Sequence, residues 1–368
     1  MPFLDNDVVY KRFELAGTAV ILLVSAYLFA KFWWGQWLFM AIVSSGALFI
    51  IGAWIYRRRI ASPLNLLAAA LLFLYYANLP AKLVPYLTWD KSPATYDAFL
   101  FYVDRSFGFS PSLLVVGWVG SVPHLNELFF GVYMGLSLAM GICFAAHMGQ
   151  TRPPWKIAWL LIAAVTVGVL CYNLLPACGP LMLLGRSGFL HGDGTAAYPG
   201  TQPAVVQLAL KYPRNAMPSL HMTWALILLW ISRDLKRGHW AAAIFATLTA
   251  VATLSTGEHY LVDLVAAFPF ALAIWNLCVG DTPLSHPRRM LCVVGGTAGY
   301  LAWIVVIRVA PSTFYLSPAV PWLAAVATVG GTLFAVYSQP ALCFVDVGTA
   351  PPPQKRVRAV AVVGTARD

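Results

Sequence analysis

Apolar residues run through this chain in blocks of about twenty, the length that crosses the hydrocarbon core of a bilayer as a helix. Blocks with few charges fall at 13–32, 36–56, 62–81, 127–148, 155–176, 217–232, 240–257, 260–279, 290–309 and 319–338. The pattern therefore predicts an all-α protein, a polytopic transmembrane helix bundle of about ten spans. A further uncharged segment, Phe107 to Leu125, carries Gly108, Pro111, Gly117, Gly120 and Pro123. Backbone in hydrocarbon must satisfy its hydrogen bonds internally, so these helix breakers predict a re-entrant or interfacial segment instead of an eleventh span. Two long connections, Lys82 to Glu127 and the Gly- and Pro-rich Leu181 to Met217, read as irregular loops on one side, and long irregular connections are usually functional.

Charge gives the bundle a direction. With Lys11 and Arg12 inside, alternation puts sixteen basic residues on the cytoplasmic side, among them Arg57 to Arg59, Arg152, Lys156, Arg233, Lys236, Arg237, Arg288, Arg289 and Lys355. The other eight, Lys31, Lys82, Lys91, Arg105, Arg186, Lys211, Arg214 and Arg308, fall outside or near the outer boundary. That asymmetry is the positive-inside pattern, and it predicts an integral, multi-pass protein whose two long loops face the periplasmic or lumenal space. The first apolar block is followed at once by a second without a small-residue cleavage site, so it reads as a retained anchor.

Composition narrows the class further. The 368 residues are 60% hydrophobic and 10% charged, where soluble proteins carry about a quarter charged residues. Soluble, disordered, collagenous and disulfide-scaffold readings are excluded. The net charge of +10 is accounted for by cytoplasmic loops, so no nucleic-acid partner is expected. Cys143, Cys171, Cys278, Cys292 and Cys343 lie in apolar stretches with no CxxC or Cys/His spacing, so neither a disulfide nor zinc is expected. No internal repeat suggests an alternating-access transporter.

Two helix starts carry chemistry: Ala216-Met217-Pro218-Ser219-Leu220-His221, and Ser255 through Gly257, Glu258, His259 and Tyr260 to Asp263. In the first, Ser219 can cap an apolar helix whose free N–H groups and positive dipole end form an anion site. In the second, His259 and Asp263 are four apart and share a helical face. The carboxylate can hold one ring nitrogen and leave the other as a nucleophile. Both starts emerge on the same side, and Asp263 lies inside a span, where carboxylates are costly and mark function.

At these residues the chain resembles the type 2 phosphatidic acid phosphatase superfamily, whose second motif is Pro-Ser-x-His and whose third ends in His-x-x-x-Asp. The matches are Pro218-Ser219-Leu220-His221 and His259 to Asp263. With Tyr172-Asn173-Leu174-Leu175-Pro176-Ala177-Cys178-Gly179-Pro180 and Tyr96-Asp97 through Asp104-Arg105, they look like the inositol-phosphotransferase branch, which includes inositol phosphorylceramide synthases. The resemblance covers roughly 95–280 and implies a six-helix phosphatase-like catalytic core there. That leaves N-terminal anchor helices at 1–94, a C-terminal helix pair at 281–350 and a basic cytoplasmic tail at 351–368.

What the resemblance implies is covalent catalysis. His259 attacks a phosphoryl group, Asp263 orients it, His221 protonates the leaving alcohol, and Ser219 binds phosphate oxygens. The phosphohistidine then passes to water or to an acceptor hydroxyl. The third motif of the superfamily usually opens with Ser-Arg, whereas Ala252 and Thr253 stand here, and the first motif is not evident at Gly179 to Arg186. Phosphate charge must therefore be met elsewhere, and Arg214, Arg186 and Lys211 are the candidates, with Arg214 either clamping phosphate or anchoring at the interface. Gly257, Glu258 and Tyr172 complete the candidate substrate-binding set. Asp97 and Asp104 read either as receptors for a polyol headgroup or as solvated loop carboxylates. No cofactor and no metal is expected, since no carboxylate cluster suits Mg²⁺. The expected partners are the bilayer, a phospholipid or other lipid phosphate, and a polyol or lipid hydroxyl acceptor, with water as the alternative acceptor. A non-catalytic lipid-binding or transport protein is the alternative of another class.

Overall fold

The computed structural model describes residues 94–136, 139–140, 143, 155–191, 203–209, 212–234, 236–278 and 284–339. The expected spans at 13–32, 36–56 and 62–81, the tail after residue 350 and Lys211 lie outside these residues. The described residues hold ten α-helices. In chain order they are α1 (Asp97–Arg105), α2 (Pro111–Ser121), α3 (Leu125–Met134), α4 (Trp155–Cys171), α5 (Pro180–His191), α6 (Leu220–Ile231), α7 (Lys236–Ser255), α8 (Leu261–Cys278), α9 (Pro287–Val309) and α10 (Ala319–Tyr337). Four helices, α7 from Arg237 onward, α8, α9 and α10, are long and apolar enough to cross a membrane.

Helix α8 is the hub. It packs on α4, α6, α9 and α10, and its side chains from Val262 to Asn276 are buried with the exception of Phe268. Pro269 in its middle removes one backbone donor, and glycines of α9 lie against that turn. A Cβ added to Gly296 of α9 would lie 2.6 Å from the Pro269 carbonyl oxygen and 2.8 Å from the Ala273 nitrogen. Small residues that let backbones meet are the usual basis of helix association in lipid. Helices α9 and α10 turn Leu291, Val305, Val309, Leu323 and Phe334 outward, a surface suited to hydrocarbon.

Two expectations are corrected. The connection Lys82 to Glu127, read as loop, contains α1 and α2. Helix α1 is only nine residues long and buries one face, Leu100, Phe101 and Val103 together with both its aspartates, so no span-length apolar block announces it. The connection Leu181 to Met217 likewise begins inside α5, which is interrupted by Gly185 at φ 71°. The all-α expectation fits the described residues, which add to their helices one two-residue ladder, Ala94–Thr95 (β1) paired antiparallel with Val206–Gln207 (β2). Helix α2, eleven residues long, rises only about 16 Å, half the hydrocarbon thickness. At 217–232, α6 has twelve residues and rises about 18 Å. Helix α3, in the block 127–148, ends at Met134.

Candidate active site

Ser219 caps α6. Its backbone is extended at φ −65°, ψ 109°, and its Oγ accepts the Met222 N–H at 3.3 Å. The first-turn amides of Leu220 and His221 have no intrahelical acceptor, as at any helix start. His221 thus sits in the first turn, partly exposed, with its ring 6.0 Å from that of His259, edge to face.

His259 lies in the turn between α7 and α8 and is 2% exposed. Its Nδ1 is 2.8 Å from the Ala216 carbonyl oxygen and 3.6 Å from Asp263 Oδ2. A carbonyl only accepts, so Nδ1 carries the proton and Nε2 keeps the lone pair. The closer orienting group is thus a backbone oxygen, with the Asp263 carboxylate behind it. Asp263 Oδ2 accepts the Tyr260 N–H at 2.8 Å, and the Asp263 carbonyl accepts the Ser219 N–H at 3.4 Å. These contacts stitch the two motifs together through Ala216–His259 and Ser219–Asp263.

The turn carrying His259 is held from several sides. Ser112 of α2 donates to the His259 carbonyl at 3.0 Å. Asp104 of α1 accepts the Leu261 and Val262 N–H groups at 2.8 and 3.1 Å, so a carboxylate from another helix caps α8. Asp97, two turns earlier, accepts the Cys178 and Gly179 N–H groups and the Tyr260 hydroxyl at 2.8–3.0 Å. Neither aspartate is solvated, which corrects the loop-carboxylate reading. Burial pushes the Asp97 carboxyl up, against the pull of its hydrogen bonds. Burial likewise takes Asp104 up to about 8, helped by the nearby Asp263 charge and opposed by the two amides.

Backbones meet directly beside this turn. A Cβ at Gly179, whose φ is 107°, would lie 2.5 Å from the Glu258 carbonyl oxygen. Gly257, at φ 71°, packs against Phe189 and Leu181. Its place in the candidate set is therefore one of close packing.

The remaining candidates divide between the neighbourhood of His259 and positions away from it. Arg214 is buried, and its guanidinium donates to the carbonyls of Leu208, Ala209 and Tyr212 at 2.6–3.2 Å and to Cys178 Sγ at 3.1 Å. It organises the loop before Ser219 and is not an interfacial anchor, since none of it reaches the surface. Arg186 is exposed on α5, just past the Gly185 break. Tyr172 is buried after α4, within electrostatic reach of Asp263. Glu258 is partly exposed beside His259; burial pushes its carboxyl up, and His259 opposes that. Among the described residues no group of three or more His, Cys, Asp or Glu side chains is placed to hold a metal ion.

Sequence reasoning missed three contributors: the Ala216 carbonyl, Ser112 and Tyr133, whose ring stacks on His221 at 3.9 Å. A backbone oxygen and two contacts across helices leave no local pattern. The seven-residue spacing of Asp97 and Asp104 did hold a signal, since it puts both on one helical face.

Two histidines thus stand at the starts of apolar helices, one backed by a carboxylate, in a largely helical protein with four helices long and apolar enough to cross a membrane. Residues 98–277 match the family model of the PAP2 superfamily, which supports membership of that superfamily. Comparison with curated proteins and with solved structures gave no match.

Proposed function

We propose that this protein is a membrane phosphotransferase that moves a phosphoryl or phospho-headgroup from a lipid phosphate to a hydroxyl acceptor through a phosphohistidine. The observation that carries this reading is the His259 ring, with its Nδ1 proton engaged by the Ala216 carbonyl and Nε2 left with its lone pair, 6.0 Å between ring centres from His221. The superfamily match supports activity of the lipid phosphatase or phosphotransferase type.

In the first step Nε2 of His259 forms a bond to phosphorus, the bond from phosphorus to the leaving oxygen breaks, and His221 gives that oxygen a proton. Positive charge gathering on the His259 ring is met by the Ala216 carbonyl and by Asp263 at 3.6 Å. The α6 start at Ser219 receives the phosphoryl oxygens. In the second step neutral His221 takes the proton of the incoming hydroxyl, whose oxygen binds phosphorus as the N–P bond breaks. Water in place of an alcohol makes the same site a phosphatase. The Tyr172 to Pro180 segment, in its likeness to the inositol-phosphotransferase branch, favours an alcohol.

Purified full-length protein incubated with a panel of headgroup-labelled phospholipids, with polyol acceptors added and withheld, tests the reading. Transfer of label to an acceptor supports the transferase, and release to water alone supports the phosphatase. His259→Ala is expected to abolish both, together with any alkali-stable, acid-labile labelled enzyme. Near-wild-type turnover in that variant would overturn the covalent assignment, and no turnover of any lipid phosphate would favour a lipid-binding scaffold.

A further inference from the structure

A general acid has to be held in place without losing the nitrogen that delivers its proton. His259 is fixed by a hydrogen bond to Nδ1. His221 is held otherwise: among the described residues neither of its ring nitrogens makes a hydrogen bond, and its neighbours are aromatic. Tyr133 of α3 stacks on it, with 3.9 Å between ring centroids and 22° between planes, and Trp224 meets it edge-on at 6.4 Å. His221 rides on α6 whereas Tyr133 comes from α3, so the stack joins two separate helices. The Tyr133 hydroxyl lies within electrostatic reach of Glu258 and Tyr172, which puts the ring at the border of the same site.

We propose that Tyr133 is the positioning residue of the general acid: its ring fixes the plane of the His221 imidazole and leaves both ring nitrogens available for proton transfer. The proposal rests on the phosphohistidine reading above. Stacking suits this task because it constrains rotation of the imidazole about its side-chain bonds through area and ring electrostatics, which ask nothing of the nitrogens. Burial and then the neighbouring His259 press His221 towards its neutral form, and the π face of Tyr133 acts against that by favouring the imidazolium that donates.

Because Tyr133 acts through His221, its effect must depend on how much the leaving group needs a proton. The test compares kcat/KM on dioctanoyl phosphatidate, whose leaving alcohol is poor, with kcat/KM on p-nitrophenyl phosphate, whose leaving phenol departs readily; a diester-specific enzyme takes the corresponding diester pair. The ratio of the two values cancels the fraction of folded enzyme, so partial misfolding does not blur it. General-acid catalysis is worth about two to four orders of magnitude, and a misaligned acid forfeits part of that. Tyr133→Leu and the more pliant Tyr133→Met are therefore expected to lose about ten- to a hundredfold on the lipid and under about threefold on the nitrophenyl ester, like a milder His221→Ala. Tyr133→Phe keeps the stacking face and should stay within about threefold of wild type on both.

Equal losses on both substrates in Tyr133→Leu and Tyr133→Met, alongside a leaving-group-selective His221→Ala, would overturn the proposal and leave the function standing. A Tyr133→Phe defect as large as that of Tyr133→Leu would overturn it too, by assigning the role to the hydroxyl. If His221→Ala itself lacks leaving-group selectivity, or wild type turns over neither substrate class, the phosphohistidine reading fails and takes the proposal with it.

Discussion

Asp104 shows how burial can outweigh a pair of good hydrogen bonds. Its carboxyl receives two amides at the start of α8, yet is pushed from 3.8 up to about 8. A carboxyl raised in the folded state keeps its proton while the unfolded chain has already lost it. Its stabilising share is complete below about pH 4 and declines as pH rises towards 8. Asp97 and Glu258, also raised by burial, act in the same sense. Asp104→Asn, which cannot titrate, should therefore show a smaller fall in melting temperature between pH 5 and pH 8 than the parent chain in the same detergent; an unchanged fall would mean that Asp104 is ionised throughout. Ser219, His221, His259 and Asp263 were readable from the chain because each lies within a few residues of its helix start. Tyr133, Ser112 and the Ala216 oxygen reach the same place from distant segments or through the backbone, and no spacing announces them.

Among the elements, α1 was the hardest to read and α8 the easiest. Eighteen largely apolar residues make α8 plain, whereas α1 packs its face across nine residues that include two buried carboxylates. Helix α9 is legible as a span, but which of its two adjacent glycines, Gly295 or Gly296, meets α8 is not. Gly295 has open space where a Cβ would go, and Gly296 has the α8 backbone 2.6 Å away. Gly295→Ala should stabilise the protein by roughly 0.5–1 kcal/mol through helix propensity. Gly296→Ala should destabilise it by about 1–3 kcal/mol through overpacking. Thermal unfolding of the two variants in one detergent measures the difference in sign, and equal effects would show that α9 does not bear on α8 at Gly296.

For the molecule in its membrane, sixteen basic residues against eight predict that the site opens to the periplasmic or lumenal side. Ser187 on α5 and Ser285 before α9 are both exposed and lie on opposite sides in that arrangement. Ser187→Cys should react with an impermeant thiol reagent on intact spheroplasts, and Ser285→Cys only after permeabilisation, each above the background of the parent chain. Reversed labelling would invert the topology.

The Gly179–Glu258 contact, where one backbone lies directly on another, marks a boundary between two kinds of inheritance. The side chains proposed for the chemical steps lie between Ser219 and Asp263, while Asp97, Asp104, Ser112 and Gly179, which hold the turn carrying His259, come earlier in the chain. Changes in the earlier segment therefore act on how firmly the His259 turn is held and leave the two histidines in place. In descendants of this chain that hold can drift while the histidines stay unchanged, because separate stretches of sequence encode them.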